Sequence, residues 1–387
     1  MDPKNYRNSS AGRAFKHQNG YWYFLPASLP PELNWSPSLV SILAEAERNL
    51  GKLASLGLSA ATLNLLVQSF IRREAVVSTR IEGTRASLSD LYTYEAQQIS
   101  FLEPDSDADE IHNYVEALGF GLEGLQTLPV SLRLIRELHA RLMKNVRGEH
   151  LAPGEFRHSQ NWIGPAGCTL QNSPYVPPPV KEMIASLAEL ESFIYAPSEL
   201  PNLVRVALIH YQFEAIHPFL DGNGRLGRLL IILLLHTWDM LPQPLLYLSA
   251  YFEANRQEYY DRLLAVSQQG RWEDWLHFFL MGVSVQSRDA IQRIIQLRTL
   301  YDAYIEQLQT ERAAERLIQT LDLLFERPIV TVRQVEAALE VPYRSAARYV
   351  DKFVQIGILK EITGRERNRI FQAGQILLTI EGAIPDR

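Results

Sequence analysis

Hydrophobic residues along this chain recur mainly at helical spacing. Near the N-terminus, Leu39, Ile42 and Ala46 lie on one face of a helix that begins at about Ser36. The same spacing predicts further helices from Ser59 toward Val77, from Ser87, and over residues 110–123, 131–144, 181–194, 203–215 and 226–235. The pattern therefore predicts a mainly α fold.

Two stretches depart from the helical pattern. Residues 1–35 are expected to form a loop-rich lead-in, because Pro26, Pro30 and Pro31 exclude a helix there. Residues 151–180 contain a high density of Gly and Pro, which also interrupts the helical period.

The C-terminal part of the chain predicts a separate small domain. Residues 286–325 are helical with charged faces and contain neither Gly nor Pro, which is typical of a link between domains. Thr331 and Gln334 form a capping box for the helix that follows. A second helix and two strands are predicted near residues 343–356, 358–362 and 369–371. This order of elements resembles a winged helix-turn-helix.

Basic residues lie on the second helix and on the loop between the two strands of this predicted domain. They are Arg344, Arg348, Lys352, Arg365, Arg367 and Arg369. The three on the helix share one side because they are four residues apart, and such a face could follow DNA phosphates. Acidic neighbours such as Asp351 and Glu366 dilute the charge. DNA binding and protein docking therefore both remain open.

Composition narrows the class of protein. The net charge is −6 and the isoelectric point about 5.9, so there is no global basic field for nucleic acid. The single cysteine, Cys168, excludes an internal disulfide and suits a reducing compartment. The first residues are too polar for a signal peptide. The longest apolar run, 229–235, is far shorter than the ~20 residues of a membrane span. We therefore expect a soluble, cytoplasmic protein that contacts no membrane.

The best candidate for chemistry is the loop within residues 217–228. Gly222 and Gly224 let the main chain approach a ligand closely. Their amides, with the amides at the start of the next helix, favour an anion. Arg225 and Arg228 lie in the first turn of that helix and suit forked contacts to phosphate.

Two more side chains complete the chemistry of this loop. Asp221 offers the hard oxygen ligand that Mg²⁺ prefers beside phosphate oxygens. His217 comes just before the loop, and an imidazole, which changes charge near neutral pH, suits a general base for a hydroxyl. The loop therefore indicates nucleotide phosphates, Mg²⁺ and a base that activates a nucleophile.

Other interpretations of the loop explain less. Residues 222–227 match Gly-x-Gly-x-x-Gly, but that dinucleotide fingerprint follows a strand, and here the preceding segment is helical. The Walker P-loop fails because Gly-Lys-Ser/Thr does not follow. A Gly-rich turn with solvated arginines explains each residue singly but not the combination.

Residues 217–228 resemble the signature of the Fic family, His-Pro-Phe-x-Asp/Glu-Gly-Asn-Gly-Arg-x-x-Arg, with every specified position present. The resemblance implies a helical Fic core and transfer of AMP from ATP to a Ser, Thr or Tyr hydroxyl of a protein. It implies that His217 deprotonates the hydroxyl and that Asp221 holds Mg²⁺. The implied ATP-binding residues are Gly222, Asn223, Gly224, Arg225, Gly227 and Arg228, with Arg228 at the γ-phosphate.

Residues 78–83 match the inhibitory motif of many Fic proteins, Ser/Thr-x-x-x-Glu-Gly/Asn. The resemblance implies an N-terminal inhibitory helix whose motif residues are Ser78 and Glu82. Glu82 would pair with Arg228 and occupy the group that should hold the γ-phosphate. Without the resemblance, the same residues predict an ordinary helix end stopped by Gly83.

Two further regions resemble parts of the Fic site. Residues 154–164 resemble the flap, a β-hairpin whose edge holds a target peptide by strand addition. Ile163 and Gly164 are implied to cover the nucleotide. Tyr259 and Tyr260 resemble the wall beside the nucleoside, where an aromatic face stacks on a base. The simpler interpretations are a proline-rich loop and a pair of core tyrosines.

Taken together, these features predict a mainly α protein with a Fic-fold helical core, a β-hairpin flap and a small C-terminal winged helix-turn-helix domain. The expected division is 1–125 for an N-terminal helical region with the inhibitory helix, 126–285 for the Fic core, and 286–387 for linker helices and the winged helix. The predicted function is Mg²⁺-dependent protein adenylyltransfer to a target, and also to the protein itself, restrained by Glu82.

Three alternatives stay open. The same site suits removal of AMP, with Glu82 positioning a water, or transfer of phosphocholine or phosphate. The chain could instead be a regulator that binds DNA or protein and keeps a low-activity Fic site. The expected partners are ATP and a protein with a hydroxyl side chain. Relatives with an N-terminal inhibitory helix are often homodimers, although no dimer seam is evident in the sequence.

Overall fold

The computed structural model describes residues 1–56, 60–97, 106–125, 128–148, 150–165, 167–309 and 314–382. The helices in these ranges are α1 (Pro37–Ala54), α2 (Ala60–Ile81), α3 (Leu88–Gln97), α4 (Ser106–Gly124), α5 (Leu132–Leu142), α6 (Val180–Tyr195), α7 (Asn202–Ile216), α8 (Asn223–Thr237), α9 (Ser249–Ala254), α10 (Arg256–Gln269), α11 (Trp272–Leu308), α12 (Ala314–Glu326), α13 (Val332–Leu339), α14 (Tyr343–Gln355) and α15 (Gly374–Glu381). The strands are β1 (Gly12–Lys16), β2 (Trp22–Pro26), β3 (Ile329–Thr331), β4 (Lys360–Glu361) and β5 (Ile370–Gln372). The mainly α fold is confirmed, and the predicted helix cap Ser59 lies outside the described residues.

The chain divides into two compact units, each made of two segments. Unit 1 comprises Met1–Ala54 and Asn113–Ser287. Unit 2 comprises Ser55–His112 and Arg288–Arg387. The predicted boundary near residue 286 falls at the end of unit 1. Residues 1–54 belong to unit 1, whereas α2 and α3 belong to unit 2, because they pack with the C-terminal elements.

The centre of unit 1 is the pair of helices α7 and α8, which pack against each other. Nearly every residue of both helices is buried, including the whole stretch from Arg225 to Leu235. Helices that are apolar all round belong in a core. Trp275 of α11 packs against this pair and donates its indole N–H to the Ala207 carbonyl at 3.0 Å. The core thus fixes the two helix ends that border the Fic-like signature.

Residues 12–26 form a β-hairpin where the sequence predicts a loop-rich lead-in. Gly12 lies opposite Pro26 and Lys16 opposite Trp22, and the rings of Phe15 and Tyr23 stack across the strands at 5.9 Å. Strands of five residues give too little alternation to be distinguished from an aromatic loop.

The predicted flap contains less regular structure than a β-hairpin. Between α5 and α6, the described residues contain one antiparallel bridge, in which Ile163 and Tyr175 exchange backbone hydrogen bonds at 2.9 and 3.4 Å. Prolines at 174 and 177–179 explain this, because they remove the donors that a longer ladder requires.

Unit 2 contains the winged helix-turn-helix. β3, β5 and β4 form an antiparallel sheet in that order, and the predicted capping box of Thr331 and Gln334 is present at the start of α13. α15 follows the sheet and was not predicted. α2 packs against α3, α12 and α15, and Ser69 donates its hydroxyl to the Phe325 carbonyl at 2.8 Å. No helix within the described ranges has the length and apolar character that crossing a bilayer requires.

Candidate active site

His217 is the residue that ends α7. Its backbone is left-handed, with φ 49° and ψ 62°, and its N–H donates to the Phe213 carbonyl at 3.0 Å. Its ring Nδ1 lies 3.3 Å from the Glu214 carbonyl oxygen. Because a carbonyl can only accept, this contact places the proton on Nδ1 and leaves Nε2 as the basic nitrogen. The side chain is half-buried, so the imidazole is held at the edge of the core.

Asn223 closes the loop that follows His217. Its Oδ1 accepts from the Phe219 N–H at 2.9 Å, and its Nδ2 donates to the Phe219 carbonyl at 2.8 Å. Both ends of the amide are therefore used by the main chain, and the side chain is buried. The Asn223 side chain therefore holds the loop in shape, and its predicted contact with phosphate stays a prediction.

Gly222 is the cap of α8 and has a left-handed backbone, with φ 77°. A side chain there would be strained, and its Cβ would lie 2.9 Å from the Met143 sulfur. α8 begins at Asn223, three residues before the predicted start, so its first turn lies inside the signature. The amides of a first helical turn lack acceptors within the helix and favour an anion.

Gly227 serves the packing of α7 against α8. A Cβ at this position would overlap the Glu214 carboxylate and lie 3.3 Å from both His210 and Phe213. A glycine at this position permits close contact between the two helices. Phosphate binding at Gly227 stays a prediction.

The two signature arginines lie deep in the site. Arg225 and Arg228 are each about 2% exposed. Arg225 lies 3.5 Å from the Asp221 carboxylate, one helical turn away. The Asp221 side chain is 41% exposed, and its Oδ1 also accepts from the Gly222 N–H at 2.6 Å. The exposed carboxylate of Asp221 therefore lies beside the buried guanidinium of Arg225. The arginine favours a bound anion, and the carboxylate favours a cation next to that anion.

His139 supports this loop from α5. Its Nδ1 accepts from the Gly154 N–H at 2.8 Å, and its Nε2 lies 3.0 Å from the Asp221 carbonyl. Its ring stacks on Phe219 at 3.8 Å. Burial lowers the pKa of His139 to about 4, and the bond to Asp221 offsets part of the shift. The imidazole is therefore neutral at physiological pH and acts as a fixed spacer.

Tyr259 and Tyr260 have different environments. Tyr259 is 1% exposed, stacks on Phe252 at 4.5 Å, and shares a 2.8 Å hydrogen bond with His210. Burial lowers the pKa of His210 to about 3. Tyr260 is 39% exposed, with the Arg256 guanidinium 6.0 Å from its ring centre. The structure places Tyr259 in the core and Tyr260 at the surface, and nucleoside contact stays a prediction for both.

Acid should destabilise the protein through these two buried histidines. Each is neutral when folded but takes up a proton at about pH 6.5 when unfolded, so stability is full above that pH and falls as pH drops toward 4. Over that range, each histidine lowers the free energy of unfolding by about 1.4 kcal/mol for each pH unit of acidification. Urea unfolding between about pH 6.5 and pH 5 should show a smaller pH dependence in His139→Gln than in wild type. An equal dependence would contradict the role of His139.

The flap contributes two residues that the sequence patterns did not single out for function. Arg157 and Asn161 donate to the main chain of the His217 loop, and both are buried. Gly164 permits close approach of the two flap legs, since a Cβ there would lie 2.6 Å from Pro174. Ile163 is half-buried at the bridge. Sequence spacing gave no signal for Arg157, because its partner is 60 residues away.

The predicted inhibitory motif lies at the end of α2 in unit 2. The helix ends at Ile81, and the next residue, Glu82, donates its N–H to the Thr79 carbonyl at 2.9 Å. Ser78 is fully buried, whereas the Glu82 side chain is exposed. Gly83 has a φ of 107°, which explains why a glycine ends this helix.

The sequence matches three known families. Residues 129–235 match the Fic/DOC family, residues 40–123 match the Fic/DOC family N-terminal region, and residues 317–373 match an HTH DNA binding domain. The first two matches support a Fic fold for the regions that they cover. This chain contains Fic/DOC family domains and, toward its C-terminus, a helix-turn-helix domain.

Among named relatives, the protein adenylyltransferase Fic of Drosophila willistoni is 32% identical over 169 residues. The enzyme of the same name from Drosophila grimshawi is 33% identical over 171 residues. Each alignment covers 41% of this chain, which spans only 30% and 31% of the two relatives.

Solved structures show the same fold. A Fic family protein from Desulfovibrio desulfuricans G20 superposes with a TM-score of 0.58 at 19% identity, covering 89% of this chain and 98% of its own. Fic-1 from C. elegans superposes with a TM-score of 0.52 at 23% identity, covering 68% of this chain and 75% of its own.

Proposed function

We propose that this protein transfers AMP from ATP to a hydroxyl side chain of a protein. The observation that carries the proposal is the order of groups along the chain at the junction of α7 and α8. His217 ends α7, and the first turns of α8, six residues later, carry the two buried arginines. Relatives named protein adenylyltransferase support the same reaction.

In this reaction the target oxygen attacks the α-phosphorus of ATP. The bond from the α-phosphorus to the bridging oxygen breaks, diphosphate leaves, and the hydroxyl proton passes to Nε2 of His217. Arg225 and the first amides of α8 stabilise the charge on the phosphates. Arg228 holds the γ-phosphate and so aligns the leaving group.

Asp221 is the residue that would hold Mg²⁺. Within the described residues, no cluster of three His, Cys, Asp or Glu side chains forms a protein cage for a metal. One open carboxylate fits Mg²⁺, which keeps several waters and takes the remaining ligands from phosphate. When bound, the ion supplies charge neutralisation and orientation of the phosphates.

The position of the label on ATP tests the proposal. The Glu82→Gly protein is incubated with a lysate and ATP labelled at either the α- or the γ-phosphate. Protein-bound label from the α-position alone is expected. Label from the γ-position would indicate phosphate transfer. Loss of AMP from previously labelled proteins, without incorporation, would indicate the reverse reaction.

The winged helix supports a second function, binding of duplex DNA. Arg348 on α14 and the wing residues Arg365, Arg367 and Arg369 are exposed, and the family matched here is a DNA binding domain. An exposed basic helix beside a basic wing suits contact with phosphates on both sides of a groove.

We expect Arg348→Gln and Arg367→Gln to weaken binding to duplex DNA. Each lost phosphate contact should reduce the slope of log affinity against log salt by about 0.9. Titration of labelled duplex at two salt concentrations measures this. Arg298→Gln, which removes a charge 62% exposed on α11, is the matched control. Absence of wild-type binding at low salt would exclude the function and favour protein docking.

A further inference from the structure

The left-handed backbone of His217 needs external support. A residue with a Cβ is sterically strained in this conformation relative to its ordinary helical geometry. The carbonyl of His217 leaves the α7 hydrogen-bond ladder and accepts two side-chain donors, Arg157 Nε at 3.0 Å and Asn161 Nδ2 at 3.3 Å. Both come from the base of the flap, so the base of the flap holds the residue that carries the catalytic imidazole.

Arg157 contacts three separate segments. Besides His217, its Nη1 donates to the Ser159 carbonyl at 3.2 Å and its Nη2 to the Pro178 carbonyl at 2.5 Å. Its own backbone N–H donates to the Pro218 carbonyl at 2.9 Å. One buried guanidinium thus joins three segments: the flap at Ser159, the chain returning from the flap at Pro178, and the loop at His217.

These partners are carbonyl oxygens rather than a carboxylate. Burial lowers the pKa of Arg157 to about 10, so the group stays charged at neutral pH. A buried charge that is bonded to carbonyls in three directions fixes geometry through its planar fork. A lysine carries the same charge but cannot reach three directions with a fixed plane.

Asn161 extends the same connection into the signature. Its Nδ2 also donates to the Phe219 carbonyl at 2.9 Å, the same oxygen that Asn223 bonds at 2.8 Å. The returning leg is held separately, since the Tyr175 hydroxyl donates to the Ala215 carbonyl at 2.8 Å. Side-chain hydrogen bonds therefore connect the flap to the His217 loop at several points.

We propose that Arg157 is a positioning residue, which fixes the position of the His217 imidazole relative to the flap. The flap would place the target hydroxyl and His217 would take its proton, so their relative position determines the rate. This inference rests on the proposed adenylyltransfer, but it concerns alignment rather than ATP binding. Misplacement by about 1 Å can cost roughly 100-fold in rate.

Arg157→Lys in the Glu82→Gly protein tests this role. We expect the rate of AMP transfer at saturating ATP to fall about 100-fold, while the Kd for Mg-ATP, measured by calorimetry, changes less than about 3-fold. The matched control is Arg205→Lys. Arg205 is also buried and its guanidinium bonds three carbonyls, Phe193, Ile194 and Ala196, away from the loop. The Arg205→Lys protein should lose about as much stability as Arg157→Lys but should keep the parent rate of AMP transfer per folded molecule.

Two results would overturn the proposal: a normal rate in Arg157→Lys, or equal rate losses in Arg157→Lys and Arg205→Lys. If Arg157→Lys does not fold, Asn161→Leu gives a second measurement. It removes one donor to His217 and should lower the rate about 10-fold with ATP binding retained. A parent protein that binds ATP but transfers no AMP would refute the proposed function instead, so the two failures are distinguishable.

Discussion

AMP transfer by the Glu82→Gly protein should fall by about 10²–10⁴-fold when His217 is also replaced by Ala. The contact of Nδ1 with the Glu214 carbonyl leaves Nε2 as the nitrogen that can accept a proton. Alanine removes the acceptor for the hydroxyl proton but leaves the arginines and the first turn of α8 in place. ATP should therefore still bind, and the loss should appear in the transfer rate.

A matched histidine variant makes this result specific. His158 lies on the flap with 80% of its side chain exposed, so His158→Ala should leave the rate unchanged. The comparison uses label from the α-phosphate together with the Kd for Mg-ATP. If His217→Ala retained the parent rate, the general base would have to be another group.

Glu82→Gly alone should raise AMP transfer about 100-fold. The prediction rests on the resemblance of residues 78–83 to the Fic inhibitory motif, whose carboxylate restrains the position of the γ-phosphate. A displacement of about 1 Å is enough for a change of this size. The measurement is incorporation of α-label into lysate proteins and into the enzyme itself, per folded molecule.

Two controls separate charge from backbone freedom at this position. Glu82→Gln keeps the chain geometry and should activate partly, since a neutral amide pairs more weakly with arginine. Glu366→Gly removes an exposed carboxylate elsewhere in unit 2 and should not activate. Equal labelling by wild type and Glu82→Gly would show that Glu82 is not a brake.

Sequence periodicity predicted the helices well because burial on one face repeats along each helix. Most predicted helices are present with shifts of a few residues. The start of α8 was placed too late, because Gly222, Asn223 and Gly224 suggest a loop although only Gly222 leaves helical geometry. Short strands gave no usable period, which is why the hairpin of β1 and β2 was missed.

The sequence signature located the candidate site, but the contacts of the individual side chains could be seen only in the structure. The structure shows that Asn223 bonds the loop main chain and that Gly227 lies against α7, and their contacts with phosphate stay predictions. Tyr259 and Tyr260 are adjacent in sequence, and only the structure separates the core residue from the exposed one. The cytoplasmic location and the homodimer remain predictions from the sequence.

The interleaving of the two units has a consequence for biosynthesis. Unit 1 is complete once Ser287 has been made, whereas unit 2 joins Ser55–His112 to the segment after Arg288. At translation rates of roughly 5–20 residues per second, residues 288–387 take about 5–20 s. During that interval α2, with Ser78 and Glu82 at its end, still lacks α12 and α15. The nascent chain can therefore assemble its signature loop before the helix with the inhibitory motif acquires its packing partners.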